Sequence, residues 1–537
     1  MQGHTPVLIV GGGPVGLALA AELGWRGIAC TLIEQTDGAI VTPKMNEVNT
    51  RTMEFCRRWG IADQVLNCPF PGDHPLDAVF VTSLFGYELG RVARPARDQQ
   101  TPEPASPYRL QACSQIWFDP MLLQLARSFA SVTVKHRHRL ESFAQTREEV
   151  VAEVTDLATE RHHTLRADYL VGCDGAASLV RRTLGIALTG TGTLGYPLNM
   201  FFRAPDLLRQ SGRKPGTFFI VVDRGGVWGN LRIIDPVRGI WRLMVDQAGD
   251  EVTPENADRQ GYLRHALGRD VAVEWIDVNV WRRRSLVAER YGEDRVLLAG
   301  DAVHQLSPTG ALGMNSGVGD AVDLGWKLAA VLKGWGGPRL VESYDVERRP
   351  VGRRNVQMAT GFYRHNEGFS HWSPVVVEDS AAGDRARRQL GALLEEGVGG
   401  EFRTLGLQIG YAYENSPICV ADGTPPPPDD TTTYVPTARP GARAPHVWLE
   451  PGKSMLDLFG RGFTLLRFAG APDPAALSKA AAQRGVPLDI ADIKSPEAAA
   501  LYQRRLVLVR PDGHVAWRAD DVPAEPGAVI DRVRGAE

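Results

Sequence analysis

The sequence predicts an α/β protein: a Rossmann-like parallel sheet, a mixed or antiparallel sheet inserted into it, and a small C-terminal α/β domain. Three observations carry this expectation. The N-terminus reads as an apolar strand, a glycine turn and a helix; two later apolar runs each end in an acid; and a proline-rich break precedes the last segment. At 537 residues and about 150 residues per domain, the chain divides into two to four domains.

The first strand is Val7-Leu8-Ile9-Val10, a continuous apolar run of the kind buried in parallel sheets. Gly11-Gly12-Gly13-Pro14-Val15-Gly16 follows, then an amphipathic stretch over 15–26 and a second strand over 30–34. A G-x-G-x-x-G run between strand and helix lets a pyrophosphate approach the helix N-terminus, and Glu34, eighteen residues past Gly16, stands where an acid accepts from a ribose. The runs 167–174 and 295–301 read as further strands of the same sheet. Between them, 217–223, 229–234 and 240–245 lean towards β structure and form the insert, the natural wall for a substrate. Helical patterns return at 320–332 and 384–396, and Gly423-Thr424-Pro425-Pro426-Pro427-Pro428 marks a linker. The expected division is 1–190 with 286–365 for the nucleotide domain, 191–285 for the insert, joined by about 75–110, then 366–425 as helical segment and linker, and 438–537 as the last domain.

Composition excludes several functions. With 60 Lys and Arg against 63 Asp and Glu, a net charge of -3 supplies no field for a nucleic acid. The six cysteines show no CxxC pair or zinc spacing and read as reduced thiols. The first apolar run is broken by glycines and a proline, and no stretch of about 20 apolar residues exists to span a membrane. The expected compartment is the cytoplasm.

Asp174-Gly175-Ala176-Ala177-Ser178-Leu179-Val180-Arg181, Gly300-Asp301-Ala302-Val303-His304 and Tyr344-Asp345-Val346-Glu347-Arg348-Arg349-Pro350 resemble, in order, recurring segments of the FAD-dependent aromatic hydroxylases. That group is typified by p-hydroxybenzoate hydroxylase, and the closest likeness is to its phenol, hydroxybiphenyl and polyketide branch. The resemblance implies a GR2-type FAD-binding domain and a thioredoxin-like C-terminal domain; no cysteine lies beyond Cys419, so that domain carries no redox motif. It implies non-covalent FAD held by Gly11, Gly13, Pro14, Val15, Gly16, Glu34, Gln35, Lys44, Gln115, Asp174, Gly175, Gly300, Asp301, Pro308, Gly313, Met314 and Asn315. Lys44 stands where relatives carry arginine, and Gly310-Ala311-Leu312 where they often carry Gly-Gly-Gln.

The same resemblance implies that NADH or NADPH reduces the flavin, that O₂ forms a flavin hydroperoxide, and that a phenol-like ring is hydroxylated ortho or para to its hydroxyl. Asn46, Phe219, Asp223, Trp228, Arg242 and Pro308 are candidates for the pocket, each with a structural reading beside it. Asn46 cannot serve as a base, so the group that activates the phenol is not identified. His304 reads as framework. An FAD-dependent reductase and a non-catalytic flavin module are the competing readings, and a homodimer enters by resemblance alone.

Overall fold

In the computed structural model, described for residues 3–246, 252–369 and 371–536, strands Cys30–Glu34, Gly3–Val10, Arg161–Gly172 and Val296–Leu298 lie side by side and parallel. Val132–His136 extends the sheet beyond Cys30–Glu34, and Gly292–Glu293 closes the other edge antiparallel. The Pro14–Trp25 helix differs from the expected amphipathic pattern. Residues from Gly16 to Gly24 are all buried, because the helix packs against the sheet, the Gln115–Ser128 helix and the Gly313–Leu332 helix at once.

The insert is a seven-stranded sheet, ordered Glu274–Val280, Leu198–Arg203, Ile240–Val245, Gly226–Asp235, Phe218–Asp223, Ala78–Val81, Glu88–Val92. One face packs Phe219, Leu231, Leu243 and Trp241 against Leu263, Ala266 and Leu267 of the Arg259–Leu267 helix. On the opposite face, at the Phe218–Asp223 end, Ile220 and Phe80 meet Leu390 and Leu394 of the Ala381–Glu396 helix.

The 29-residue Arg339–Glu367 helix carries Pro350 in its interior. Proline cannot donate to the carbonyl four residues back, and that residue, Val346, is 42% exposed.

The C-terminal segment runs strand, helix, strand, helix, strand, strand, helix from Phe463–Arg467 to Pro526–Val533. Its sheet is ordered Leu488–Asp492, Phe463–Arg467, Leu506–Val509, Val515–Ala519, with only the first pair parallel; this is the thioredoxin-like arrangement. Phe463 packs edge-on to Trp326 of the Gly313–Leu332 helix. Beside that contact Arg510 donates to Glu347 at 2.6 Å, Asp323 at 3.1 Å and Asp512 at 2.7 Å, and Lys327 donates to Asp323 and Glu347. All five are buried.

Removing one member of a buried ionic network strands its partners. Arg510→Met is expected to destabilise the protein by about 3–5 kcal/mol in denaturant unfolding. An unchanged midpoint would show that the two segments are not energetically coupled there.

Candidate active site

Val10 pairs with Gly172 and Ile33, and Gly172 with Leu298. The loops bearing Gly11, Glu34, Asp174 and Asp301 therefore leave the same edge of the sheet in register. Ligands of open α/β sheets bind at that edge.

Gly11 has φ +108°, and a Cβ there would lie 2.4 Å from the Cys173 carbonyl oxygen; on Gly16 it would lie 2.0 Å from that of Gly11. Both positions require glycine. A Cβ on Gly13 would meet nothing within 4 Å, and no side chain caps the helix that Gly13 begins. Open space over uncapped amides suits a phosphate. Val15 packs under Gly300 and Gly317, tying this turn to the Gly-Asp loop. Glu34 accepts from the Gly12 and Thr36 amides at 2.7 Å each, while Gln35 is exposed.

Asp174 accepts from the Val180 amide at 3.1 Å through Oδ2, leaving Oδ1 buried without a partner. Gly175 beside it has φ +76°. Arg181 donates to the Ala302 carbonyl at 3.0 Å and Gln305 to that of Ala176 at 2.8 Å, clamping the Asp-Gly loop to the Gly-Asp loop. Asp301 follows Gly300, whose φ is +65°. Its side chain is open to solvent and receives no hydrogen bond among the described residues, yet burial raises its carboxyl above the usual carboxylate range. A carboxylate both deep and accessible lines a cavity.

Pro308 is exposed, and Gly313 and Met314 are half-buried, at the start of the Gly313–Leu332 helix, which no side chain caps. Gly310 and Ala311 before it have φ +81° and +54°. Asn315 is occupied by protein: Oδ1 accepts from the Asn49 amide and the Thr52 hydroxyl, and Nδ2 donates to the carbonyls of Glu47 and Ala311. Gln115 is similarly engaged, accepting from the Lys44 amide at 2.9 Å and donating to Asp119 at 2.9 Å. Burial pushes the Asp119 carboxyl up to about 7. The Lys44 side chain is exposed, and Asn46 Oδ1 is buried without a partner.

The structure does not bring Phe219, Asp223 and Trp228 to this place. Phe219 and Trp228 belong to the face covered by the Arg259–Leu267 helix, and Asp223 pairs with His265 at 3.1 Å beside them. Arg242 lies on the other face, opposite Arg232 and in hydrogen bond with Asn230 at 3.0 Å. That face connects to the nucleotide edge through Glu47. The Glu47 carboxylate accepts from Arg232 at 2.8 Å and Arg94 at 3.0 Å, and its carbonyl accepts from Asn315. Burial opposes ionisation of Glu47, but the two guanidiniums outweigh it and hold the carboxyl at about 2. Arg242 has no carboxylate in hydrogen-bond contact among the described residues; burial and the like charge of Arg232 bring it down to about 9. A cleft of about 770 Å³ lies outside this wall, bordered by Arg94, Phe402 and Gln408.

Sequence reasoning missed Glu47, Arg232 and Asn230. Alternation in the 229–234 run places Asn230 and Arg232 on one face, and this was the available signal.

A family model described as FAD binding domain matches residues 4–359, and one described as aromatic-ring hydroxylase, C-terminal, matches residues 437–536. The chain belongs to the FAD-dependent aromatic-ring hydroxylases. Tetracenomycin A2 monooxygenase-dioxygenase of Streptomyces glaucescens is 32% identical to it, covering 97% of this chain and 94% of that one. Among solved structures, RebC with bound 7-carboxy-K252c is 40% identical with a TM-score of 0.92, covering both chains completely. The flavin-dependent monooxygenase PieE, in complex with FAD and substrate, is 33% identical with a TM-score of 0.89 over 99% of each chain.

The residues of the hydroxylase fit FAD. The glycine turn leaves room for a pyrophosphate, Glu34 stands at the end of the second strand, and the unbonded Asp301 carboxylate meets the need of a polyhydroxyl chain for an acceptor. Asp301→Ala, removing a charge-assisted hydrogen bond of about 1.5–3 kcal/mol, is expected to weaken FAD binding at least about tenfold. Flavin fluorescence titration measures this; an unchanged dissociation constant in a folded variant would return Asp301 to a turn residue.

Proposed function

We propose that this monooxygenase hydroxylates a phenolic or related electron-rich ring, ortho or para to an existing hydroxyl, using NAD(P)H and O₂ in the cytoplasm. We further propose that the ring is part of a larger molecule, of the kind named for two similar proteins: 7-carboxy-K252c for RebC and tetracenomycin A2 for the Streptomyces glaucescens enzyme. The observation that carries the reading is the joining of the arginine-bearing sheet face to the start of the Gly313–Leu332 helix through Glu47 and Asn315. A substrate on that face lies beside the flavin site.

Bound FAD supplies the redox chemistry, taking hydride from NAD(P)H and delivering one oxygen atom. The chain's own residues do the rest. The uncapped N-terminus of the Gly313–Leu332 helix stabilises negative charge near it. Arg232 and Arg242 stabilise the ionised form of a ring hydroxyl, and the apolar core behind them excludes water from the sheet. Arg242, with its Nε buried and unpaired, has hydrogen-bonding capacity left for a ligand.

With ¹⁸O₂ and a set of fused phenols, mass spectrometry is expected to find one labelled oxygen on the ring, and Arg242→Met to raise KM about tenfold or more. Stoichiometric turnover with NAD(P)H under strict anaerobiosis would overturn the reading.

A further inference from the structure

Resting on that hydroxylase reading, we propose that Glu401 accepts the proton of the substrate's ring hydroxyl and so activates the ring. Glu401 lies in the Val398–Phe402 turn, which packs against both the Thr309–Ala311 turn and the Arg339–Glu367 helix. Its Oε1 accepts from Asn366 Nδ2 at 3.1 Å. The Gly310 amide, three residues before the Gly313–Leu332 helix, faces the carboxylate and favours its charged form. The other charged groups facing it are Arg283 and Asp246, paired with each other at 2.6 Å, and Arg232, already engaged by Glu47. The Glu401 side chain therefore sits between the loop that leads to the flavin helix and the arginine-bearing face of the sheet.

Three carboxylates meet at this place, and their surroundings give them different roles. Glu47 is bound by two arginines and Asp246 by one. The two guanidiniums hold Glu47 in its charged form, which makes it a poor proton acceptor at neutral pH, and Asp246 is occupied by Arg283. Glu401 has no ion pair among the described residues; only an amide side chain and a backbone amide hold it. It is half-buried, reachable by solvent, and burial pushes its carboxyl up to about 7. Above that pH it is an open-handed base; below it, a bound proton removes the base. A structural turn cap gains nothing from such a placement, since burying an unpaired carboxyl costs free energy. A group that must take a proton at neutral pH needs it.

The step balances. The substrate O–H bond breaks, its electron pair stays on the ring oxygen and flows into the ring, and an O–H bond forms on Glu401. When the new ring C–O bond has formed, the displaced ring hydrogen moves as a proton to the first ring oxygen, and the oxygen added to the ring carries a proton taken from solvent. Glu401 gives its proton to the second oxygen atom of O₂, which leaves as water with the hydrogen that NAD(P)H delivered as hydride. NAD(P)H and O₂ are the reductant and oxidant of the proposed hydroxylation.

The test uses the FAD-loaded protein and 7-hydroxycoumarin, a fused phenol whose ionised form absorbs at longer wavelength, titrated by difference spectroscopy across pH. The pH at which the bound probe ionises is read for the native protein and for Glu401→Gln. A carboxylate facing the ring hydroxyl is a like charge to the phenolate, so Glu401→Gln is expected to lower that midpoint by a unit or more, with flavin content and probe affinity changed less than about threefold, since glutamine keeps the contact to Asn366; an upward shift would overturn the role of Glu401. Coincident midpoints for the two proteins, with the flavin spectrum perturbed by the probe in both, would overturn the role of Glu401 while leaving the aromatic site standing. Failure of the probe to bind or to perturb the flavin in either protein would overturn both. Should the glutamine variant not fold, Glu401→Asp retains the charge at shorter reach, further from the ring hydroxyl; its midpoint is expected to move downward, and a midpoint equal to the native one overturns the proposal.

Discussion

One buried carboxylate holds the nucleotide site together. Asp320, fully buried on the Gly313–Leu332 helix, accepts from the Gly300 amide at 3.1 Å, from His304 Nε2 at 2.8 Å and from Arg348 Nε at 2.8 Å. Burial alone would neutralise it; Arg348 and His304 hold it below the usual carboxylate range. Arg348 in turn donates to the Ser316 carbonyl. The loop that presents Asp301, the helix whose start faces the site, and the long Arg339–Glu367 helix are thus fixed by a single group. An unpaired charge in that core would cost several kcal/mol, so the three segments keep one arrangement.

From this anchor the site is built outward. The Gly313–Leu332 helix carries Asn315, which grips the 47–52 segment; Glu47 on that segment grips Arg232 of the inserted sheet. A chain of short contacts links a nucleotide-binding edge to a sheet face rich in buried arginine. The C-terminal segment reinforces the opposite end of the same helix, through Arg510 with Asp323 and through Phe463 on Trp326. Its contacts bury charge and aromatic surface against that helix.

The nucleotide fold was legible because its signals are local. A glycine turn between strand and helix, and strands ending in Asp174 and Asp301, are constraints of neighbouring residues, and the insert strands at 217–245 follow from β-branched and aromatic runs. The aromatic-ring hydroxylase family was legible in the same motifs. What was not legible depends on which side of a sheet a residue faces. Phe219 and Trp228 suggest a pocket by chemistry, yet they fill the core beneath a helix. Glu401 carries no motif at all; it is drawn to Gly310 across 91 positions of chain by a turn whose placement only the tertiary fold determines.

The central claim is that the nucleotide edge and the arginine-bearing face of the inserted sheet form one cavity around FAD. A crystal structure of the FAD-loaded protein tests it most directly. The account predicts the pyrophosphate over Gly13, the ribityl chain at Asp301, and the ring system between the 308–312 loop and the strands carrying Arg232 and Arg242. A ring system found instead in the outer cleft beside Phe402 and Gln408, or on the face packed by the Arg259–Leu267 helix, would contradict it.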